Sequence, residues 1–162
     1  MSDLAAVLRK NPNLSHLSDD EANSLIARCR DVTFSNGESV LTEGDPGESM
    51  VLLAEGKVLV KRGATTLAEL GPGATIGEMA LLDPAPRSAS VVAKGPVRAL
   101  ELDREQLWSL LATGDSAAVK TLQGLSATVC ARLGGVNTLV QEEVMRPQGN
   151  AFGRLWKKLR KK

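Results

Sequence analysis

The chain has 162 residues, enough for one domain with a real core, and its 43% hydrophobic and 24% charged side chains are ordinary for a globular protein. Four aromatic residues, Phe34, Trp108, Phe152 and Trp156, offer no stacking surface for single-stranded nucleic acid or sugars in the body of the chain. The net charge of +1 is uneven: the last twelve residues, AFGRLWKKLRKK, hold six of the twenty basic side chains and no acid, so the preceding 150 carry net −5, which argues against a body that binds nucleic acid.

The N-terminus shows no charged segment followed by an apolar one, and no apolar run approaches a membrane span. Residues 2–10 read as a short helix, with Leu4, Val7 and Leu8 at helical spacing. In SDDEANSLIARC, Ser18 followed three residues later by Glu21 is a capping box, predicting a second helix over 19–29 that buries Ala22, Leu25 and Ile26. Cys29 and Cys130 have neither metal-ligand spacing nor a C-x-x-C partner, so both are expected to be reduced thiols in a cytoplasmic chain.

From residue 31 the period changes to short β-rich runs divided by NG, EGDPG, EG, RG and GPG turns. Val51–Ala54 and Lys57–Lys61 are expected to form a hairpin through Glu55-Gly56, because glycine tolerates positive φ. The runs SASVVA and VRALEL bring the count to about eight strands, the pattern of a β-sandwich or jelly-roll barrel. At Asp103 the period returns to helical: DREQLWSLLATG ends at Gly114, and Asp115 caps a long helix. That helix carries an apolar stripe at Leu122, Leu125, Val129, Leu133, Val136, Val140 and Val144. The stripe serves either to pack on the barrel or to pair with a second copy, and a homodimer is expected. Gly134-Gly135 marks either a close approach or a kink. Residues 146–150 read as a linker, dividing the chain into a domain over 1–145 and a tail over 146–162. In the tail, Phe152, Leu155, Trp156 and Leu159 fall on one helical face beside Lys157, Lys158 and the other basic residues. The tail is therefore either solvated or suited to an acidic protein partner or an anionic membrane.

The segment IGEMALLDPAPRSASVV carries the chemistry. Gly77 allows a tight backbone turn, and EMALL has the propensity for one helical turn whose first N–H groups would lie open to an anion. Arg87 returns from a loop stiffened by Pro84 and Pro86, with a planar fork suited to phosphate, and Ser88 adds a hydroxyl. Glu78 would repel that phosphate, so it fits a ligand only by accepting a hydrogen bond from another part, such as a ribose hydroxyl.

GEMALLDPAPRSASVVA, between these strands and helices, resembles the phosphate-binding cassette of the cyclic nucleotide-binding domain family. The likeness extends through SLIARCRDVTFSNGESVLTEGDPGESMVLLAEGKVLVKR, with Gly44 and Gly56 at turn positions, and LGPGATIGE, covering about residues 10–145. It implies an eight-stranded jelly-roll barrel with N-terminal helices and a long C-terminal helix. It also implies that Gly77, Glu78, Met79 and Ala80 form the cassette helix, with Glu78 on the ribose 2′-hydroxyl and Arg87 on the cyclic phosphate. Ser88 and the Ala89 backbone would complete the phosphate contacts. Val60 and Leu70 would lie against the base, and Asn137 either bonds the base edge or is solvated. R-S-A is similar to the bacterial catabolite activators that respond to cAMP, although a serine here also occurs in members preferring cGMP. Those activators continue into a helix-turn-helix domain. Here only MRPQGNAFGRLWKKLRKK follows, so the expectation is a stand-alone regulatory sensor in which DNA binding is not foreseen. The one histidine, His16, lies outside the barrel run, which argues against a metal-dependent barrel enzyme.

Overall fold

Two fourteen-residue strands organise the molecule. In the computed structural model, which describes residues 2–145 and the side chains of residues 4–131, the chain begins with α1 (Ser2–Arg9) and α2 (Asp19–Ile26). The strands follow as β1 (Arg30–Phe34), β2 (Ser39–Leu41), β3 (Ser49–Arg62), β4 (Thr65–Leu70) and β5 (Thr75–Ile76). After α3 (Met79–Leu82) come β6 (Ser90–Asp103), α4 (Arg104–Ala112) and α5 (Ser116–Met145). All pairing is antiparallel in the order β1-β6-β3-β4, with β2 on β6 and β5 on β3. The architecture is the jelly-roll arrangement of strands with flanking helices. The described residues up to Ser126 make one compact unit, and the described remainder of α5 falls to a second.

The expected hairpin at Glu55-Gly56 is not there, and the described residues hold six strands rather than eight. Both expected runs, 51–54 and 57–61, lie on the single strand β3, and both pair with β6. SASVVA and VRALEL likewise fuse into β6. Gly56 does take positive φ, +83°, but it spends it on a bulge: the register slips on either side of Glu55. A Cβ at Gly56 would stand 2.2 Å from the Pro96 carbonyl oxygen, so the two long strands crease there together. The bulge also switches the inward-facing positions on β3, from Val51 and Leu53 before it to Val58 and Val60 after it.

Two cores result. Val51, Leu53, Val58, Ile76, Val91 and Ala99 fill the inside of the barrel, with Val60 and Leu70 packed at its edge. Met50, Leu52, Leu100 and Leu102 point the other way, onto Leu8, Leu25, Leu107 and Leu125 of the helices. The capping box forms as expected, with the Glu21 N–H donating to Ser18 Oγ and the Ser18 N–H to Glu21 Oε2. Asp115 caps α5 through the Ala118 N–H, at 2.9 Å. Asn11, buried, donates to the Gly73 carbonyl at 3.0 Å and so pins the N-terminal segment to the barrel. Cys29 and Cys130 are free thiols, and burial pushes the Cys29 pKa up to about 12. Among the described residues, no helix is long and apolar enough to cross a membrane. The side chains of Leu133, Gly134, Gly135, Val136, Asn137, Val140 and Val144, and all of Phe152, Leu155, Trp156, Lys157 and Lys158, lie outside the described residues.

Candidate ligand-binding site at the barrel mouth

A distant turn fixes where Arg87 begins. Its N–H donates to the Asp45 carbonyl at 2.8 Å, and its carbonyl accepts from the Gly44 N–H at 2.9 Å. The side chain then crosses the mouth, with Nη1 donating to the Gly77 carbonyl at 3.3 Å and Nη2 to Ser49 Oγ at 3.2 Å. Gly77 is needed twice over. Its φ is +71°, and a Cβ there would stand 2.3 Å from Arg87 Nη1.

Behind Arg87 runs a polar relay that the sequence pattern did not disclose. Ser49 is buried, and its hydroxyl donates to Glu101 Oε1 at 2.7 Å. Glu101 meets Arg30 at 3.1 Å, and Arg30 meets Asp103 at 2.9 Å. Burial lowers the Arg87 pKa, while the carboxylates of Glu101, Asp45 and Glu48 oppose that shift. The guanidinium is thus a partly desolvated cation, and an anion gains more from it than from a solvated one. A cleft of about 400 Å³ lies on the relay side of Arg87, lined by Arg30, Leu41, Asp45, Ser49, Arg87 and Glu101 among others, with neither Gly77 nor Glu78 in its wall. A larger cleft, about 810 Å³, lies beside Glu48, Arg104 and Trp108 and includes none of Gly77, Glu78 or Arg87.

The short helix departs from expectation at its start. It spans Met79–Leu82, with Glu78 as its N-cap and Gly77 outside it, because a residue at φ +71° cannot continue a right-handed turn. Its amides are not all open to an anion either: the Ala80 and Leu81 N–H groups donate to the Gly77 and Glu78 carbonyls at 3.1 and 3.2 Å. Those two N–H groups are therefore engaged within the turn itself. Glu78 is 7% exposed, Met79 is exposed, Ala80 is buried, Ser88 is exposed and Ala89 half-buried.

Residues 31–114 match the cyclic nucleotide-binding domain family. The chain belongs to that family. Over 128 residues, 78% of this chain, it is 34% identical to Glutaminase 2 of Bradyrhizobium diazoefficiens, and the match covers 20% of that enzyme. Over 108 residues, 64% of this chain, it is 32% identical to the CRP-like cAMP-activated global transcriptional regulator of Mycobacterium tuberculosis, and the match covers 48% of that protein. The chain thus spans less than half the length of these two curated relatives. Among solved structures it is similar to a cyclic nucleotide-binding domain from Methylobacillus flagellatus, with TM-score 0.73 and 29% identity, covering 93% of this chain and 85% of that one.

In this cyclic nucleotide-binding domain a side-chain contact joins cassette and helices. The indole N–H of Trp108, on α4, donates to the Leu81 carbonyl on α3 at 2.9 Å, while Arg104 lies 5.7 Å from the ring centre. Ser49, Glu101 and Trp108 are the residues that sequence reasoning missed. One signal was available for Glu101: the inward stripe Val97, Ala99 on β6 continues at the next alternate positions into two acids, Glu101 and Asp103, where an apolar residue would be expected.

Proposed function

We propose that this domain senses cAMP, holding the cyclic phosphate on Arg87 and the ribose 2′-hydroxyl on Glu78. The observation that carries this reading is the partly desolvated Arg87 fork across Gly77, one residue from the buried Glu78 carboxylate. The Mycobacterium tuberculosis relative is named as cAMP-activated, which supports adenine over guanine as the main ligand. Val60 and Leu70, at the edge of the inner core, supply an apolar floor for the base, Ser88 and the Ala89 amide support the phosphate, and Asn137 is the candidate partner for the base edge. On this reading the domain is regulatory and not an enzyme, because Glu78 is committed to the sugar and is not a base aimed at phosphorus.

Calorimetric titration with cAMP, cGMP and 2′-deoxy-cAMP tests the assignment. Glu78→Gln is expected to weaken cAMP by roughly tenfold or more, the scale of a hydrogen bond to a charged group. The deoxy analogue, which has no hydroxyl to give, should change by less than about threefold. Equal losses for both ligands would remove Glu78 from the ribose.

The output is proposed to pass through the C-terminal helices, as a homodimer along α5 and through the basic tail of residues 146–162 toward an acidic protein or anionic membrane. Sedimentation with anionic vesicles checks the tail. The full chain should pellet in low salt and be released by high salt, and a chain ending at Gln148 should stay in solution. Equal pelleting of the two would exclude a membrane role.

A further inference from the structure

The crease at Gly56 folds β3 back so that both of its ends reach the cassette. Ser49, its first residue, meets the Arg87 side chain, and Arg62, its last, meets Ser88. The Arg62 Nε–H donates to the Ser88 carbonyl at 3.1 Å. Beyond the crease, Val58 and Val60 face the inner core, so alternation places Arg62 on that same face, at the exposed end of the strand. The strand is regular against β6 here, with Val60 opposite Val91 and Lys61 opposite Ser90. The irregularity at this level belongs to β4, where Leu67 is the extra residue between Ala68, opposite Val60, and Thr66, opposite Lys61. Leu67 is left 52% exposed. Gly63 closes the strand end, with its N–H donating to Glu43 Oε2 at 3.2 Å.

Arg62 therefore stands beside Ser88 and Ala89, past the apolar floor of Val60 and Leu70, anchored by one of its five N–H groups. The remaining donors lie on the head group, and an arginine has donors only. A purine edge made of two acceptors, the O6 and N7 of guanine, matches such a fork. The corresponding edge of adenine sets a donor amine beside N7 and does not match.

We propose that Arg62 is a specificity-determining residue that reads the guanine O6/N7 edge, so that the site accepts cGMP alongside cAMP and Arg62 sets their ratio. The inference rests on the cyclic nucleotide reading above.

Titration of the full chain, its Arg62→Leu variant and its Arg62→Lys variant with both nucleotides tests it. The unaltered chain should bind both ligands. Arg62→Leu should weaken cGMP by roughly 5- to 150-fold, the discrimination of one bidentate base contact, and change cAMP by less than about threefold. Arg62→Lys, which keeps the charge but not the fork, should recover only part of the loss. Equal losses for the two ligands would overturn the proposal and leave Arg62 as a brace for the Ser88 carbonyl. No loss for either ligand, full recovery by lysine, or an unaltered chain that binds cAMP alone would overturn it too. An unaltered chain that binds neither nucleotide would instead sink the cyclic nucleotide reading, and this inference with it.

Discussion

Arg87→Ala is expected to lower affinity for cyclic nucleotide by roughly 10- to 150-fold, the scale of a lost charge-assisted contact, without unfolding the domain. The reason for the second half lies in the relay behind it. With Arg87 gone, Ser49 keeps its hydrogen bond to Glu101, and Glu101 keeps Arg30. No charge is orphaned, and a desolvation cost borne by the guanidinium disappears. Calorimetry for the ligand and circular dichroism for the fold separate the two effects. Unchanged affinity in a folded variant would contradict the assignment of the phosphate to Arg87.

Gly124→Ala is the second large effect, and helix propensity alone predicts the wrong sign. Alanine in a helix interior is about 1 kcal/mol better than glycine. Here a Cβ at residue 124 would stand 1.9 Å from the Asn13 carbonyl oxygen and 3.0 Å from His16 Cε1. The segment it strikes has little freedom to yield. The His16 ring bonds the Lys120 carbonyl at 2.9 Å, the Lys120 ammonium reaches Glu21 at 2.7 Å, and Asn11 is pinned to the barrel. Overpacking of this kind costs roughly 1–3 kcal/mol, so the variant should melt several degrees lower. A melting temperature equal to or above that of the parent would show that the loop moves aside freely.

What could be read from the sequence was whatever local chemistry determines. Ser18 and Glu21 signal a cap because both halves of the box lie within four residues. GEMALLDPAPR likewise holds the turn, the carboxylate and the guanidinium in one short run. Gly56 was misread because positive φ serves a reversal and a bulge equally well, and the choice rests with a partner strand some forty residues away. The start of α3 was misplaced for a related reason: a glycine next to helix formers looks like part of the helix until its φ is known. The partners of Arg87 were least legible. Ser49 lies 38 residues before Arg87, in a GDPGES run that reads as turn. Only the closure of the barrel brings the two together.

The crease in the long ribbon gives a residue remote from the cleft a say in its width. The β3–β6 ladder continues past the Gly56 bulge, from Ser49 opposite Asp103 to Lys61 opposite Ser90, so the angle between its two halves is set at that point. The two ends of the ribbon strand are Ser49 and Arg62, and residues Arg87 and Ser88 join them. Bend angle at Gly56 and Pro96 therefore translates into the separation of those ends. A substitution at the far end of the barrel can thus reset the spacing of Ser49 and Arg62 without touching either residue.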